Sequence, residues 1–451
     1  MSGFVPTATL VAAVISAGYL FWNSAARKNN LPPGPRRWPL IGSVLEIPQT
    51  CQWVTFSKWA KTYGNIVYVD ALGQPIIVIN SAKVANDLLD KRGSIYSDRP
   101  RLMMPTLIGG TNSFVLQSYT ESWRQQRKIV AQEFSPSAVR RYHPLQETEA
   151  RKLVHCLLDN PSTLARQTQL RIGAIILRVV YGHYVTSEND PFLTTCLTSM
   201  EIFSKATTPG VWVVDVLPML RYIPSWLPGG GFLQIAKQWR KIVMDATWDP
   251  YLWCKKNLAT GTVLLPNFCA QYLVEADGNL SEEQEDRLAW AATSVMGGGL
   301  DTNTSSILTF FHAMILNPSV QRKAQEEIDR VIGPNRMAHA LSQDDVYDGM
   351  HLPKGSVVIP NVWHMLHDPE VYPNPMEFEP DRYQGLDSEM DKVTNISFGF
   401  GRRACPGKYF AEGTFFAVVS TVLATCEISP TQDTEGNAVL PDISYTSGTI
   451  S

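Results

Sequence analysis

The clearest chemical feature of the sequence is a single cysteine, Cys405, set between an arginine pair and a Pro-Gly step in FGFGRRACPG, residues 398–407. A thiol in this setting could be inert core filling, a redox nucleophile or a metal ligand. Pro406 suits the first turn of a helix, and the apolar segment KYFAEGTFFAVVSTVLA after it predicts a buried helix. Cys405 would then lie at a helix N-terminus, where the helix dipole and free N–H groups stabilise a thiolate.

The neighbours of this cysteine narrow its chemistry. Gly401 and Gly407 allow a tight loop and the close approach of a flat cofactor. Arg403 offers a cation to an acidic group, and Phe398 offers an apolar wall that limits water. A dry, hydrogen-bonded thiolate of this kind suits axial ligation of haem iron.

A second chemical feature is the pair Asp301-Thr302, which directly follows three glycines at 297–299. Ser281 and Gln284 form a capping-box pattern, which predicts that a long helix begins there and continues to Pro318. Each internal glycine costs about 0.8–1 kcal/mol against alanine, so the run needs a reason. Close approach of a ligand and close helix–helix packing account for it equally well. No G-x-G-x-x-G follows a strand pattern, which disfavours a dinucleotide loop.

Composition excludes several classes of protein. The chain has 451 residues, 44% of them hydrophobic, and a formal net charge of −3, which argues against nucleic acid as a partner. Its seven cysteines are scattered and contain no C-x-x-C, so neither a disulfide framework nor a zinc cluster is predicted. A reducing compartment is therefore expected.

The N-terminus predicts a membrane anchor. Phe4–Trp22 contains no charged residue and has the length of a membrane-spanning helix, while basic residues follow it and none precede it. We expect residues 1–30 to be a single-span anchor and residues 31–451 to form the catalytic domain on the cytosolic side. The alternative is a buried helix of a soluble protein.

The motif around the cysteine is also a family signature. Phe398, Gly401, Arg403, Cys405 and Gly407 match all fixed positions of F-x-x-G-x-R-x-C-x-G, the haem-binding signature of cytochrome P-450 monooxygenases. The chain resembles this family from its anchor almost to its end. It is most similar to fungal microsomal members of secondary metabolism, such as sterigmatocystin-derivative oxidoreductases and tryptamine hydroxylases. The resemblance implies a mainly α fold with small β-sheets, and Cys405 as the proximal ligand of haem b.

The resemblance assigns further roles. GGGLDT resembles the family's oxygen-activating kink, which implies that Thr302 hydrogen-bonds dioxygen while Asp301 helps to deliver protons. Trp123 and Arg127 match W-R-x-x-R, whose Trp and second Arg contact a haem propionate in the family. The alternative for WRQQR is a solvated basic helix, some of whose cations face an acidic reductase. His339 is a further candidate for a propionate contact.

One family element is missing from the sequence. The E-x-x-R helix should precede FEPDRY, whose arginine, Arg382, pairs with it in the family. Glu327 and Arg330 have the spacing but belong to a segment that resembles the preceding helix, and a deletion is predicted near 337–338. A buried Arg382 without its carboxylate would cost about 3–5 kcal/mol. The chain also stops before the family's final strand. We therefore expect it to fold or hold haem poorly compared with longer relatives.

The implied reaction is monooxygenation of an apolar small molecule such as a terpenoid, polyketide, steroid or polycyclic aromatic. Electrons would come from NADPH through cytochrome P-450 reductase at the endoplasmic reticulum membrane, with cytochrome b5 as a further candidate partner. The alternatives are an inactive truncated form and a membrane-anchored protein without haem, in which Cys405 is a plain core thiol.

The resemblance also locates the substrate pocket. Its expected walls are Met103–Val115, Phe203–Val214, Thr293–Thr302 and Tyr445–Ile450. The segment Leu217–Phe232 mixes aromatics, prolines and glycines and reads either as a membrane-dipping loop or as an ordinary packed surface loop.

Overall fold

The structure is a computed structural model that describes residues 30–48, 50–208, 210–263, 266–326, 339–383 and 387–441. These residues belong to two compact units. The sheet unit takes its described residues from Met1–Pro100, Met337–Pro373 and Phe400–Arg402, and the helical unit takes them from Arg101–Arg336, Asn374–Gly399 and Arg403–Ser451.

Helices and strands follow in this order. The α-helices are α1 (Gln52–Tyr63), α2 (Ala82–Ala85), α3 (Gly93–Tyr96), α4 (Met103–Leu107), α5 (Glu121–Glu133), α6 (His143–Asp159), α7 (Leu164–Tyr181), α8 (Pro191–Thr207), α9 (Val213–Val216), α10 (Gly231–Ala259), α11 (Phe268–Glu275), α12 (Glu282–Leu316), α13 (Pro318–Glu326), α14 (Val362–Leu366), α15 (Asp387–Phe398) and α16 (Lys408–Thr425). The strands are β1 (Ile66–Ala71), β2 (Gln74–Ile79), β3 (His339–Ala340), β4 (Asp345–Tyr347), β5 (Met350–Leu352), β6 (Val357–Pro360), β7 (Thr431–Gln432) and β8 (Ala438–Val439). Shorter turns are a π-helical turn (Asn86–Asp90) and 3-10 turns (Val44–Glu46, Gly110–Asn112, Val139–Tyr142, Pro161–Thr163, Pro218–Tyr222, Pro380–Tyr383, Gly401–Arg403).

The sheet unit is built on a four-stranded sheet of order β1-β2-β6-β3. β1 and β2 form an antiparallel hairpin with Ile66 opposite Ile79, and β6 runs parallel to β2 with Val357 opposite Ile76. The strands are rich in valine and isoleucine, as expected for strands that are largely buried. Phe56 and Trp59 of α1 pack into the same core as Val67, Val69 and Val78.

The helical unit is organised around α12. Its N-terminus carries the predicted capping box, with Ser281 and Gln284 bonding each other's backbone N–H groups. It ends at Leu316, before Pro318 as predicted, and Pro318 begins the next helix. α12 packs against α7, α5, α10 and α16, and most of its apolar residues are buried. The mainly α fold with small sheets is therefore confirmed.

Several expectations concern residues that the structure does not describe. The predicted anchor lies outside the described residues except for Asn30, and so do the deletion point at 337–338 and the tail from 442 onward. Across the described ranges, none of the helices combines the length and apolarity needed to cross a bilayer.

Candidate functional site

Cys405 lies between the 3-10 turn Gly401–Arg403 and helix α16. The helix begins at Lys408 with Gly407 as its N-cap, so Pro406 lies in the preceding turn and not in the helix as expected. Cys405 is therefore two residues outside the N-cap. Its N–H donates to the carbonyl of Phe398 at 2.8 Å, which closes the loop.

The thiols of the chain differ sharply in exposure. All seven cysteines are described, and Cys405 alone is exposed, whereas Cys196, Cys254 and Cys269 are buried. Burial raises the pKa of Cys254 to about 12 and that of Cys269 well above its ordinary value. These thiols are inert core residues. The hypothesis that Cys405 is a plain core thiol is wrong.

The two motif glycines act differently. Gly401 has φ +56°, and a Cβ there would lie 2.1 Å from the carbonyl oxygen of Leu89. Its N–H donates to the Asp90 carboxylate. Gly407 has an ordinary φ of −92°, but a Cβ there would lie 4.0 Å from Cys405 Sγ. Gly401 is required by the turn, and Gly407 keeps the surroundings of the sulfur open.

Arg403 is held by main-chain carbonyls. Nη1 donates to Phe114 O at 2.9 Å and Nη2 to Gln117 O at 2.7 Å. The guanidinium also lies 4.4 Å from the Trp123 ring centroid. Both bonds go to neutral carbonyls, and the cation fixes the segment before α5 to the cysteine loop.

Trp123 and Arg127 lie on one face of α5, as their spacing predicts. Arg127 Nη2 donates to Ala404 O at 2.7 Å, directly beside Cys405. Burial lowers the pKa of Arg127, while its interaction with a negative charge on Cys405 raises it. Trp123 is buried, and its Nε1–H donates to Phe114 O at 3.1 Å. The solvated-helix alternative is wrong for these two side chains.

The three glycines of α12 have distinct surroundings. A Cβ on Gly297 would lie 2.4 Å from Met200 Sδ, and one on Gly299 would lie 2.7 Å from Ile176 Cδ1. A Cβ on Gly298 would meet no heavy atom of the described residues within 4 Å, and Gly298 is exposed. Helix packing therefore explains two of the glycines, and the third leaves the backbone accessible.

Asp301 and Thr302 follow within the same continuous helix. Thr302 is exposed, and its Oγ1 donates to Gly298 O at 2.5 Å. Asp301 is half-buried. The hydroxyl of Thr302 therefore lies next to the accessible backbone at Gly298.

Two of the four predicted pocket walls, Met103–Val115 and Phe203–Val214, meet in one apolar cluster, and a hydrogen bond joins the third, Thr293–Thr302, to the first. The buried members of the cluster lie on α4, α8, α9, α10 and α12 and directly after α4, and they are Met104, Ile108, Ile202, Ala206, Val214, Ala236, Val243 and Trp290. Ser113 and Ser294 hydroxyls meet at 2.7 Å, which joins the first wall to α12. The fourth wall, Tyr445–Ile450, lies outside the described residues.

Arg382 is not left without partners. Its guanidinium donates to the carbonyls of Asn374, Glu377 and Glu379 at 3.0–3.2 Å and lies 3.6 Å from the Glu379 carboxylate. The expected cost of an unpaired charge is thus wrong, because local carbonyls and Glu379 provide the partners. His339 belongs to β3 and pairs with Val358, and its side chain is outside the description.

Some residues of the site carry no motif. Gln126 is buried and joins two parts of the preceding segment, accepting from Phe114 N–H at 3.2 Å and donating to Asn112 O at 3.0 Å. The carbonyls that receive Arg403 and Arg127 are main-chain atoms, which any residue type provides. The one sequence feature that could have identified Gln126 as a site residue is its position directly before Arg127 in WRQQR.

The donor set at Cys405 fits a prosthetic group. Within the described ranges, no three His, Cys, Asp or Glu side chains converge as metal ligands. A haem fits this setting, because it takes one thiolate from the protein and Cys405 offers an exposed thiol.

Comparisons with known proteins agree with this chemistry. The sequence model of the family described as Cytochrome P450 matches residues 32–339 and 333–447. Cytochrome P450 monooxygenase 105 of Postia placenta is 49% identical, with 99% of this chain and 92% of that protein aligned. Cytochrome P450 monooxygenase 45 of the same fungus is 50% identical over 94% of this chain and 86% of that protein. A zebrafish cytochrome P450 solved with progesterone has a similar fold, with a TM-score of 0.68, 20% identity, and 88% of this chain and 96% of that chain covered.

The same comparisons bear on the predicted deletion. The alignment with monooxygenase 105 extends over 479 residues, more than the 451 of this chain, so that relative has residues without a counterpart here. The family match also breaks into two segments at residues 333–339, next to the predicted deletion.

Proposed function

Because the chain belongs to the cytochrome P450 family of haem-thiolate monooxygenases, we propose that Cys405 ligates its haem b and that the enzyme oxidises an apolar small molecule. The observation that supports this most is the exposed Cys405 thiol, framed by Gly407 and by Arg127. When bound, the haem supplies oxygen activation, in which one oxygen atom enters the substrate and the other leaves as water. NADPH provides the electrons through a reductase.

Arg127 and Arg403 place positive charge next to Cys405, where a negatively charged ligand would bind. Arg127 binds Ala404 O through Nη2, and its other guanidinium nitrogens make no hydrogen bond to the described residues. These nitrogens are the candidate donors to a haem propionate. Trp123 gives its N–H to Phe114 O, so its role is to support Arg403 and the segment before α5.

Thr302 and Asp301 supply the proton path. The Thr302 hydroxyl holds its proton toward Gly298 O and can present it on the accessible side of α12. Asp301, half-buried beside it, passes protons between solvent and this hydroxyl.

The substitution Thr302→Ala tests this assignment. We expect product formation to fall relative to NADPH and oxygen consumption, while Thr302→Ser, which keeps a hydroxyl, stays near the wild-type ratio. The measurement is product formed per NADPH oxidised with reductase present. An unchanged ratio in Thr302→Ala contradicts the role.

The apolar cluster supports an apolar substrate. The buried side chains of this cluster carry no charge. The Ser113 and Ser294 hydroxyls lie beside it, and so does the Asp215 carboxylate, which accepts from the N–H groups of Met103 and Met104. A terpenoid, polyketide, steroid or polycyclic aromatic suits such walls.

The exposed apolar residues Val213, Met219, Tyr222 and Trp226 support a membrane-facing loop, because a lipid surface would cover them. Together with the predicted anchor at 1–30, they favour the endoplasmic reticulum membrane.

A second candidate function is an inactive shortened form, favoured by the residues that relatives carry and this chain lacks. The carbon-monoxide difference spectrum of the dithionite-reduced full chain, expressed in eukaryotic microsomes, separates the two. A red-shifted Soret band supports thiolate ligation by Cys405 and active enzyme. Absence of a haem band, or an unshifted one, assigns the activity to a longer form.

A further inference from the structure

A cavity of about 410 Å³ lies between α5, α11 and the first turns of α12. Its volume is in the range of a small-molecule pocket. Positive charge reaches it from two helices, because Arg124 and Lys128 of α5 and Arg287 of α12 line it. Glu121 is the one carboxylate among the described residues of the lining. The cavity therefore favours an anion.

Two of these cations are available to a ligand. Lys128 is exposed and makes no hydrogen bond or ion pair to the described residues. Arg124 pairs with Glu121 at 2.7 Å, but both side chains are more than half exposed, and an ion pair of this kind contributes little stability. An anion in the cavity would therefore compete for both cations at small cost.

Arg287 is the most buried cation of the three, with a side chain that is 16% exposed. Its Nη1 donates to the Gln125 side chain, and its Nη2 pairs with the exposed Glu283. Its Nε is buried and has no acceptor among the described residues. Because a buried donor without an acceptor is unfavourable, a bound oxygen atom that accepts from Arg287 would stabilise this side chain.

The lining also has an apolar part. Ile129 and Tyr272 line the cavity and pack against the main apolar core of the helical unit. An aromatic ring or a short hydrocarbon can lie against these two side chains. The lining thus combines cations with an aromatic and an aliphatic side chain, which suits a charged group joined to an apolar body.

We propose that this cavity is a binding site for a small phosphate ester with an apolar body. A phosphate carries up to two negative charges and three strong acceptor oxygens, so it matches several cations better than a single carboxylate does. The exposed acids Glu121 and Glu283 lie next to the cations and would repel an extended acidic surface of a protein or membrane, so a compact ligand is favoured. The site goes beyond the proposed function and does not depend on haem.

Titration calorimetry of the full chain with phenyl phosphate tests the cationic part. In Lys128→Gln we expect about tenfold weaker binding, the factor that corresponds to one charge-assisted hydrogen bond. Glu121→Gln should bind several-fold more tightly, because it removes a carboxylate from the lining. Arg151→Gln is the control, since Arg151 is an exposed helical cation on α6 and does not line the cavity. Absence of binding to the wild type, or equal affinities of Lys128→Gln and Arg151→Gln, overturns the proposal.

A comparison of ligands tests the apolar part. The wild type should bind phenyl phosphate several-fold more tightly than inorganic phosphate, and also more tightly than benzoate, which carries one charge. In Tyr272→Ala the affinity for phenyl phosphate should fall toward that for inorganic phosphate, whose own affinity should not change. A wild type that binds all three ligands equally contradicts a site for an apolar phosphate ester.

An extended acidic partner gives a different result. If phenyl phosphate does not bind, but Lys128→Gln weakens binding of phosphatidic acid vesicles or of the reductase, the cations face a membrane or a protein, and the small-ligand site is overturned. These titrations require no haem. A chain that takes up no haem therefore refutes the proposed function and leaves this test intact.

Discussion

At the level of single residues, two of the three adjacent glycines of α12 should respond in opposite ways to substitution by alanine. An alanine at Gly299 meets Ile176 Cδ1 at 2.7 Å, so overpacking of about 1–3 kcal/mol outweighs the gain in helix propensity of about 0.8–1 kcal/mol. An alanine at Gly298 meets none of the described residues within 4 Å and should raise the free energy of unfolding of the haem-free chain by up to about 1 kcal/mol.

For Gly298→Ala, the effect on haem binding should be opposite to the effect on stability. If its accessible backbone serves ligand approach, Gly298→Ala lowers haem content or oxygen coupling although the protein itself is more stable. Urea denaturation and haem titration of both variants provide the measurement. A less stable Gly298→Ala, or a Gly299→Ala as stable as wild type, contradicts the assignment.

Arg403 gives a second prediction at the residue scale. Its forked guanidinium reaches Phe114 O and Gln117 O at once, and a lysine ammonium cannot reproduce both bonds and the contact with Trp123. We expect Arg403→Lys to lose about 1.5–3 kcal/mol of stability, the range for a hydrogen bond to a charged group. Arg124→Lys, at an exposed site on the same helix as Trp123, is the control and should change stability little.

At the level of elements, α5 ends in a buried acid that makes stability depend on pH. Glu133 accepts from the Tyr142 hydroxyl and pairs with Arg141 at 2.6 Å, and burial raises its pKa above the ordinary value despite these partners. The folded protein therefore binds the Glu133 proton more tightly than the unfolded chain does. This contribution to stability is present below the ordinary carboxyl pKa and is lost as pH rises through the raised one.

The matched variant is Glu133→Gln, which cannot titrate. The difference in free energy of unfolding, wild type minus Glu133→Gln, should decrease as pH rises from the acid range toward neutrality. A difference that stays constant or grows over that range shows that the ion pair with Arg141 outweighs burial.

The exposed apolar segment around α9 is a second feature of this scale. Trp226 is 77% exposed, and Leu158 on α6 is similarly exposed at 66%. Of these two residues, Trp226 alone has other exposed apolar side chains near it in the sequence, such as Tyr222. An environment-sensitive fluorescent residue at position 226 should shift to the blue when the full chain is reconstituted in vesicles. The same residue at position 158 should not. Equal spectra at the two positions contradict membrane contact of this segment.

At the level of the whole molecule, the deletion predicted near 337–338 is the basis of the final prediction. Insertion of the corresponding residues of monooxygenase 105 should raise haem occupancy and the free energy of unfolding by at least about 2 kcal/mol, because a packed helix buries apolar surface at about 25 cal/mol per Å². A Gly/Ser insertion of equal length at the same point is the control. Equal behaviour of the two insertions would show that the present chain needs no such helix.

The sequence predicts the features that depend on residues close together in the chain. The limits of α12 follow from Ser281, Gln284 and Pro318, whose effects act within one or two turns. The proximity of Trp123 and Arg127 follows from helical spacing in the same way. The partners of Arg403 and the bonds from the N–H groups of Met103 and Met104 to the Asp215 carboxylate depend on tertiary structure and involve main-chain atoms, so no residue pattern predicts them. The sequence predicts Pro406 in the first turn of the helix because proline is common there, but the turn before Gly407 accommodates the φ of proline equally well.

The main-chain anchoring of the cysteine loop has a consequence for how this enzyme can diversify. Arg127 and Arg403 grip the backbone oxygens of Phe114, Gln117 and Ala404, and these oxygens persist whichever side chains the positions carry. Mutations at 114, 117 and 404 can therefore accumulate without loosening these bonds. A lineage could remodel the lining next to its reactive centre, and with it the range of molecules it accepts, while inheriting the same support for the thiolate.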